Sequence, residues 1–88
     1  MPRPARDSRV EGGLPLTALA PGQSGEVVCV HPGAPLRQRL LDLGLVPGTR
    51  VDVLFSSPLG DPVAYRVRGA VVALRAAVAR WVTVRRYS

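Results

Sequence analysis

Two rhythms of apolar and polar residues run along this chain, a helical one near its middle and a period of two almost everywhere else. In Leu36-Arg37-Gln38-Arg39-Leu40-Leu41-Asp42-Leu43 the leucines at 36, 40 and 43 fall at i, i+4 and i+7 and predict one apolar stripe. Arg37, Gln38, Arg39 and Asp42 fall mostly on the other side. Pro35 suits the first helical position, where its missing N–H is harmless and its φ is already helical. Gly44 is placed to take the left-handed conformation that stops the helix, with Leu45 folding back on Leu40 as in a Schellman ending. Pro47-Gly48 fits the centre of a type II turn, with glycine where φ must be positive.

The period of two predicts the strands. Val51, Val53 and Phe55 alternate with Arg50, Asp52 and Leu54, so those three are expected to face inward. Upstream, residues 14–20 form a short apolar stretch in which Thr17 could cap a single helical turn. Pro21-Gly22 then turns the chain into a strand over residues 26–31. Downstream, Pro58-Leu59-Gly60-Asp61-Pro62 is a loop of strong breakers. Val63, Tyr65 and Val67 face inward, Arg68-Gly69 reverses the chain, and Val72 and Leu74 supply another inner face. Residues 76–80 suffice for one helical turn, and 81–86 close the chain with Val82 and Val84 inward. The prediction is a mainly β fold: a small barrel of about five strands with one short α-helix packed on it and short helical turns. Closure matters, because an open sheet of this size would expose its pairing edges.

Length permits a single domain in 88 residues. Residues 1–13 lack periodicity and end in a double glycine, so they are expected to be a disordered tail ahead of a folded domain over 14–88. No apolar run approaches the ~18 residues of a membrane span, and the N-terminus lacks the continuous apolar segment of a secretory signal. Cys29 is alone, so no internal disulfide forms. A reducing, cytoplasmic location fits these features.

The formal charge of +6 is carried entirely by arginine, with no lysine in the chain. Such a surface favours an acidic partner, whether nucleic acid, anionic lipid or an acidic protein face. The aromatics are only Phe55, Tyr65, Trp81 and Tyr87, not the stacking cluster expected of a single-strand binder or the lining of a proline-peptide groove.

Candidate chemistry is sparse. Cys29 and His31 lie two apart on one strand and could offer two soft ligands from one face, but a metal site needs more; a buried cysteine and a strand-end histidine are the ordinary reading. No metal and no cofactor are therefore expected. Ser56 and Ser57 have no neighbouring histidine or acid pair of the kind nucleophilic catalysis requires, and no enzyme is predicted. The residues placed to meet a partner are Arg37 and Arg39 on the exposed helix face, Leu41 diverging from the apolar stripe, and Asp61 in the breaker loop.

The order of these features resembles the FeoA family of bacterial ferrous-iron transport proteins. The likeness is carried by Leu36 through Leu45, Pro47-Gly48-Thr49-Arg50-Val51, Pro58 through Val63, Val67-Arg68-Gly69, Val72-Ala73-Leu74-Arg75 and Val82-Thr83-Val84. It covers about residues 14–85. The resemblance implies an SH3-like barrel and a cytoplasmic accessory protein that modulates, by protein contact, a membrane ferrous-iron permease bearing a cytoplasmic GTP-binding domain. It implies no inserted membrane segment and no specific nucleic acid, and leaves homo-oligomers open. The same barrel also occurs as the C-terminal module of iron-dependent repressors, an alternative reading alongside a nucleic-acid-binding barrel.

Overall fold

The computed structural model describes residues 13–87; of the predicted tail over 1–13, all but Gly13 lies outside them. In chain order the elements are β1 (Leu14–Pro15), a 3-10 turn (Leu16–Ala18), β2 (Ser24–Val30), α1 (Arg37–Asp42), β3 (Arg50–Ser56), β4 (Val63–Val67), β5 (Ala70–Leu74), α2 (Ala76–Ala79) and β6 (Val82–Arg86). The strands form one sheet in the order β1-β6-β2-β3-β4-β5, and every neighbouring pair is antiparallel. The sheet curls round one apolar core. Val27 and Val30 enter it from β2, Val51 and Val53 from β3, Tyr65 and Val67 from β4, Leu74 from β5, and Val82 and Val84 from β6. Leu16 and Leu19 close one side and Leu40 and Leu45 another, with Ala79 of α2 filling the remaining space. The expected mainly β fold with a helix packed on it is observed, with six strands rather than about five, and the sheet wraps the core without the expected closure, since β1 and β5 remain its two edges. No described helix is long and apolar enough to cross a membrane.

The helix ends as the sequence predicts. Gly44 adopts φ of +106°, its N–H donates to the Leu41 carbonyl (2.9 Å), and the Leu45 N–H donates to the Leu40 carbonyl (3.1 Å). These are the two hydrogen bonds of a Schellman motif. Val46 through Thr49 then make the type II turn, closed by Thr49 N–H to the Val46 carbonyl at 3.0 Å with Gly48 at φ +95°.

Three expectations fail, each for a backbone reason. Pro35 is not the first helical residue. Leu36 intervenes as the N-cap in a left-handed conformation (φ 57°, ψ 28°), so helical geometry begins only at Arg37. Leu36 is 62% exposed while Leu40 is buried. Second, Phe55 does not face inward. A bulge at Leu54 sets Val53 opposite Tyr65 but Phe55 opposite Ala64, which flips the alternation and leaves Phe55 61% exposed. Third, Thr17 caps nothing; Pro15 holds the N-cap of the 3-10 turn, without a side-chain bond. A matching bulge at Val28 explains why Val27 and Val30, three apart on β2, both point into the core.

Candidate partner surfaces

Helix α1 separates the two arginines expected to act together. Successive residues advance about 100° round a helix, so Arg37 and Arg39 project to nearly opposite sides. Arg37 borders a recess of about 760 Å³ with Leu14, Cys29, His31, Arg80 and Thr83. Arg39 borders a second recess of about 550 Å³, between α1 and β5. Leu41 is half-buried and packs against the core rather than standing free. Asp61 sits apart from all three: its carboxylate accepts the Ala76 N–H at 2.8 Å, capping α2 from across the breaker loop. The loop holds it there through Gly60 N–H to the Ser57 carbonyl and Ser57 N–H to the Pro62 carbonyl. Arg37, Arg39 and Asp61 therefore occupy three separate places, and Leu41 belongs to the packing beneath α1.

In the first recess His31 is fixed from two sides. Its Nδ1 accepts the Gly33 N–H at 2.9 Å, which puts the proton of the neutral ring on Nε2. Its ring meets Trp81 edge-on at 5.2 Å, and the Arg80 guanidinium lies over the other ring system at 5.3 Å. Cys29 lines the same recess, half-buried. Among the described residues no three His, Cys, Asp or Glu side chains converge as a metal cage would require.

A polar cluster that the sequence reading did not single out joins β2, β3 and the C-terminal residues. Ser24 Oγ donates to Asp52 Oδ1 (2.6 Å), Arg50 Nε donates to the same oxygen (2.8 Å), and the Arg50 guanidinium stacks over Tyr87 (5.5 Å). The Ser24 hydroxyl, and then the Arg50 guanidinium, hold the Asp52 carboxyl below its ordinary value. Asp52 in turn raises the affinity of Arg50 for its proton. The signal was present in the sequence as Arg50 and Asp52 at spacing two, one side of one strand.

The second recess also escaped the sequence reading. Leu36, Leu40 and Leu43 from α1, Val72 and Leu74 from β5, and Val78 give it an apolar lining, with Arg39 and Arg75 as the charged groups. Its trace in the sequence is the uncharged run Ala70-Val71-Val72-Ala73-Leu74. On the outer face of the same sheet edge, Val71 stands 59% exposed.

Comparison with known proteins places this arrangement. The sequence profile of the FeoA domain matches residues 14–86. Over 60 residues, 68% of this chain, the sequence is 37% identical to the Fe(2+) transport protein A/Fe(2+) transporter FeoB fusion protein of Porphyromonas gingivalis, of which that match spans 7%. The crystal structure of the iron uptake regulatory protein FeoA superimposes with a TM-score of 0.73 at 36% identity, covering 85% of this chain and 97% of that one. The zinc complex of Stenotrophomonas maltophilia FeoA, a prokaryotic SH3 domain protein, gives a TM-score of 0.69 at 32% identity over 78% and 86% of the two chains. A manganese-dependent transcriptional repressor shares the fold alone, at 21% identity and a TM-score of 0.76 over 37% of its length. With the family profile spanning nearly the whole described barrel, the chain belongs to the FeoA domain family.

Proposed function

We propose that this protein is a cytoplasmic accessory factor of bacterial ferrous-iron uptake, acting by contact with the cytoplasmic part of the membrane iron permease. The observation that carries this reading is the Porphyromonas gingivalis relative, in which an Fe(2+) transport protein A and the transporter FeoB are one polypeptide. Fusion holds two modules at an effective concentration far above that of free partners, which selects for modules whose contact matters. The surface chemistry suits such contact: a net charge of +6 steers the barrel toward an acidic face and orients it there. Apolar side chains at the centre of the docked patch would supply the affinity. The barrel then acts as a ligand of the permease and makes or breaks no bond of its own.

Deletion of the gene should lower ferrous uptake, and the purified barrel should bind the permease's cytoplasmic region with an affinity that falls as salt rises. Arg37→Glu combined with Arg39→Glu should weaken that binding while leaving the thermal unfolding midpoint in place. Normal uptake in the deletion strain, together with no binding at low salt, would sink the reading.

A further inference from the structure

The sheet ends differently at its two edges. At one, β1 is two residues long and includes Pro15, which is how proteins commonly blunt an edge. At the other, β5 is five residues long and carries no charge and no proline. Its exposed side can be deduced from the hairpin. Arg68 and Gly69, at φ 52° and 84°, make a two-residue turn, so the closing pair Val67–Ala70 is hydrogen-bonded and the pairs alternate from there. Arg66–Val71 and Ala64–Ala73 are then the non-bonded pairs, and the N–H and C=O groups of Val71 and Ala73 point off the sheet. Neither residue makes any other hydrogen bond among the described residues. Beside this open edge lies the apolar recess of α1, with Leu36 on its lip in a left-handed conformation that no glycine or asparagine eases.

We propose that the open edge of β5 binds an extended segment of a partner protein as a seventh strand, with apolar side chains at alternate positions entering the recess and carboxylates at the flanks. The inference rests on the function proposed above only for who that partner is. An added strand places every second side chain on the inner side, against Leu36, Leu43 and Val72, and the others beside Val71 on the outer side. Charge selects the occupant. Arg39 and Arg75 border the recess, no carboxylate does, and Arg66 and Arg68 lie along the same hairpin. A second copy of the chain fits poorly: β5 paired with itself about Val72 sets Arg75 of one copy opposite Gly69 of the other, next to its Arg68, between two molecules each of charge +6.

The test uses the full chain, labelled with nitrogen-15, and a blocked peptide Glu-Val-Thr-Val-Thr-Val-Glu. Binding should shift the amide signals of Val71 and Ala73 and slow their hydrogen exchange by about tenfold or more. The same peptide N-methylated at alternate amides, or with lysine in place of glutamate, should bind about tenfold more weakly. Val71→Pro removes an outward N–H and should abolish binding while the unfolding midpoint holds. Leu36→Asn keeps the left-handed backbone without the apolar lip, and should weaken binding several-fold. Shifts confined to other residues, indifference to N-methylation, or protection of Val71 and Ala73 that grows with protein concentration alone would each overturn the proposal. The permease's cytoplasmic region is titrated in parallel. If it binds wild type and Val71→Pro equally and the peptide does not bind, the edge assignment fails and the proposed function stands; if the peptide binds and the region does not, the edge assignment stands and the permease is not the partner.

Discussion

Gly44 carries two constraints at once, and they can be measured apart. Its φ of +106° is one that an L side chain rarely adopts. The second constraint comes from the β4–β5 hairpin: a Cβ at position 44 would run into Arg68 Cδ and come within 3.0 Å of Arg68 Cγ, because that stem crosses the end of α1. Gly48 provides the control, with φ of +95° and nothing within 4 Å of the corresponding position. Gly48→Ala should therefore cost only the backbone term, about 1–2 kcal/mol. Gly44→Ala should cost that and also the displacement of Arg68 into a poorer rotamer, about 1 kcal/mol more. For a domain of this size each kcal/mol lowers the midpoint by roughly 4–8 °C. Urea unfolding of the two single variants, of Arg68→Ala and of Gly44→Ala/Arg68→Ala closes a double-mutant cycle. Removing the arginine stem should bring the Gly44→Ala penalty down to that of Gly48→Ala, a coupling of about 1 kcal/mol. Equal penalties for the two glycines, with additivity to within about 0.3–0.5 kcal/mol, would refute the claim that the hairpin rests on the helix stop.

Leu40, 1% exposed and anchored at the Schellman ending, should cost about 2–5 kcal/mol when cut to alanine, read from urea midpoints. Asp61→Ala should cost about 1 kcal/mol through the lost cap on α2, and Asp61→Asn should restore most of it; an unchanged midpoint for the alanine variant would show the cap to be idle. Because the folded state holds Asp52 below its unfolded value of 3.8, its contribution is present above about pH 4 and is lost as pH falls through the lower folded value. The Arg50 side of the pair is exposed and screened by solvent, so the Ser24 hydroxyl is the leading source of that contribution. Asp52→Asn should flatten the acid limb of stability against pH and leave the alkaline limb alone.

What could be read from the sequence is what local chemistry decides. The Schellman ending needed only Gly44 and the leucines at 40 and 45, and the following turn needed only Pro47-Gly48. Inward faces were legible wherever alternation ran undisturbed, as in Tyr65 and Val67 or Val82 and Val84. Bulges were not legible, because nothing in Val53-Leu54-Phe55 announces that one residue will be left out of the ladder. That choice belongs to the curl of the whole sheet. A spacing of two on a helix already sets Arg37 and Arg39 about 200° apart, so grouping them on one face was a misreading of the pattern. Which recess each borders depends on the neighbouring elements and was not legible. Asp61 was legible as a carboxylate in the breaker loop and was assigned to a partner, whereas the N–H it accepts lies on another element, brought near by the fold.

The departures from local rules gather round one strand. Leu36 stands exposed on the lip of the recess that β5 borders. Phe55 is turned outward onto the row that runs through Ala64 to Ala73 of β5, and Val71 is exposed on the neighbouring row with Arg66. Each is a small cost in folding, and in a minimally frustrated sequence such costs persist where the surface has another use. An uncharged, apolar edge would ordinarily invite the chain to pair with itself. Here Arg68 and Arg75 bracket it at both ends. Cationic residues at those positions leave the central backbone groups open while making a second copy repel. Replacing both with glutamate inverts that filter: the edge should then reject an acidic strand. A second copy would still meet like charge at the junction, now acid beside acid, so the reversal changes which strand is accepted without opening the edge to self-pairing.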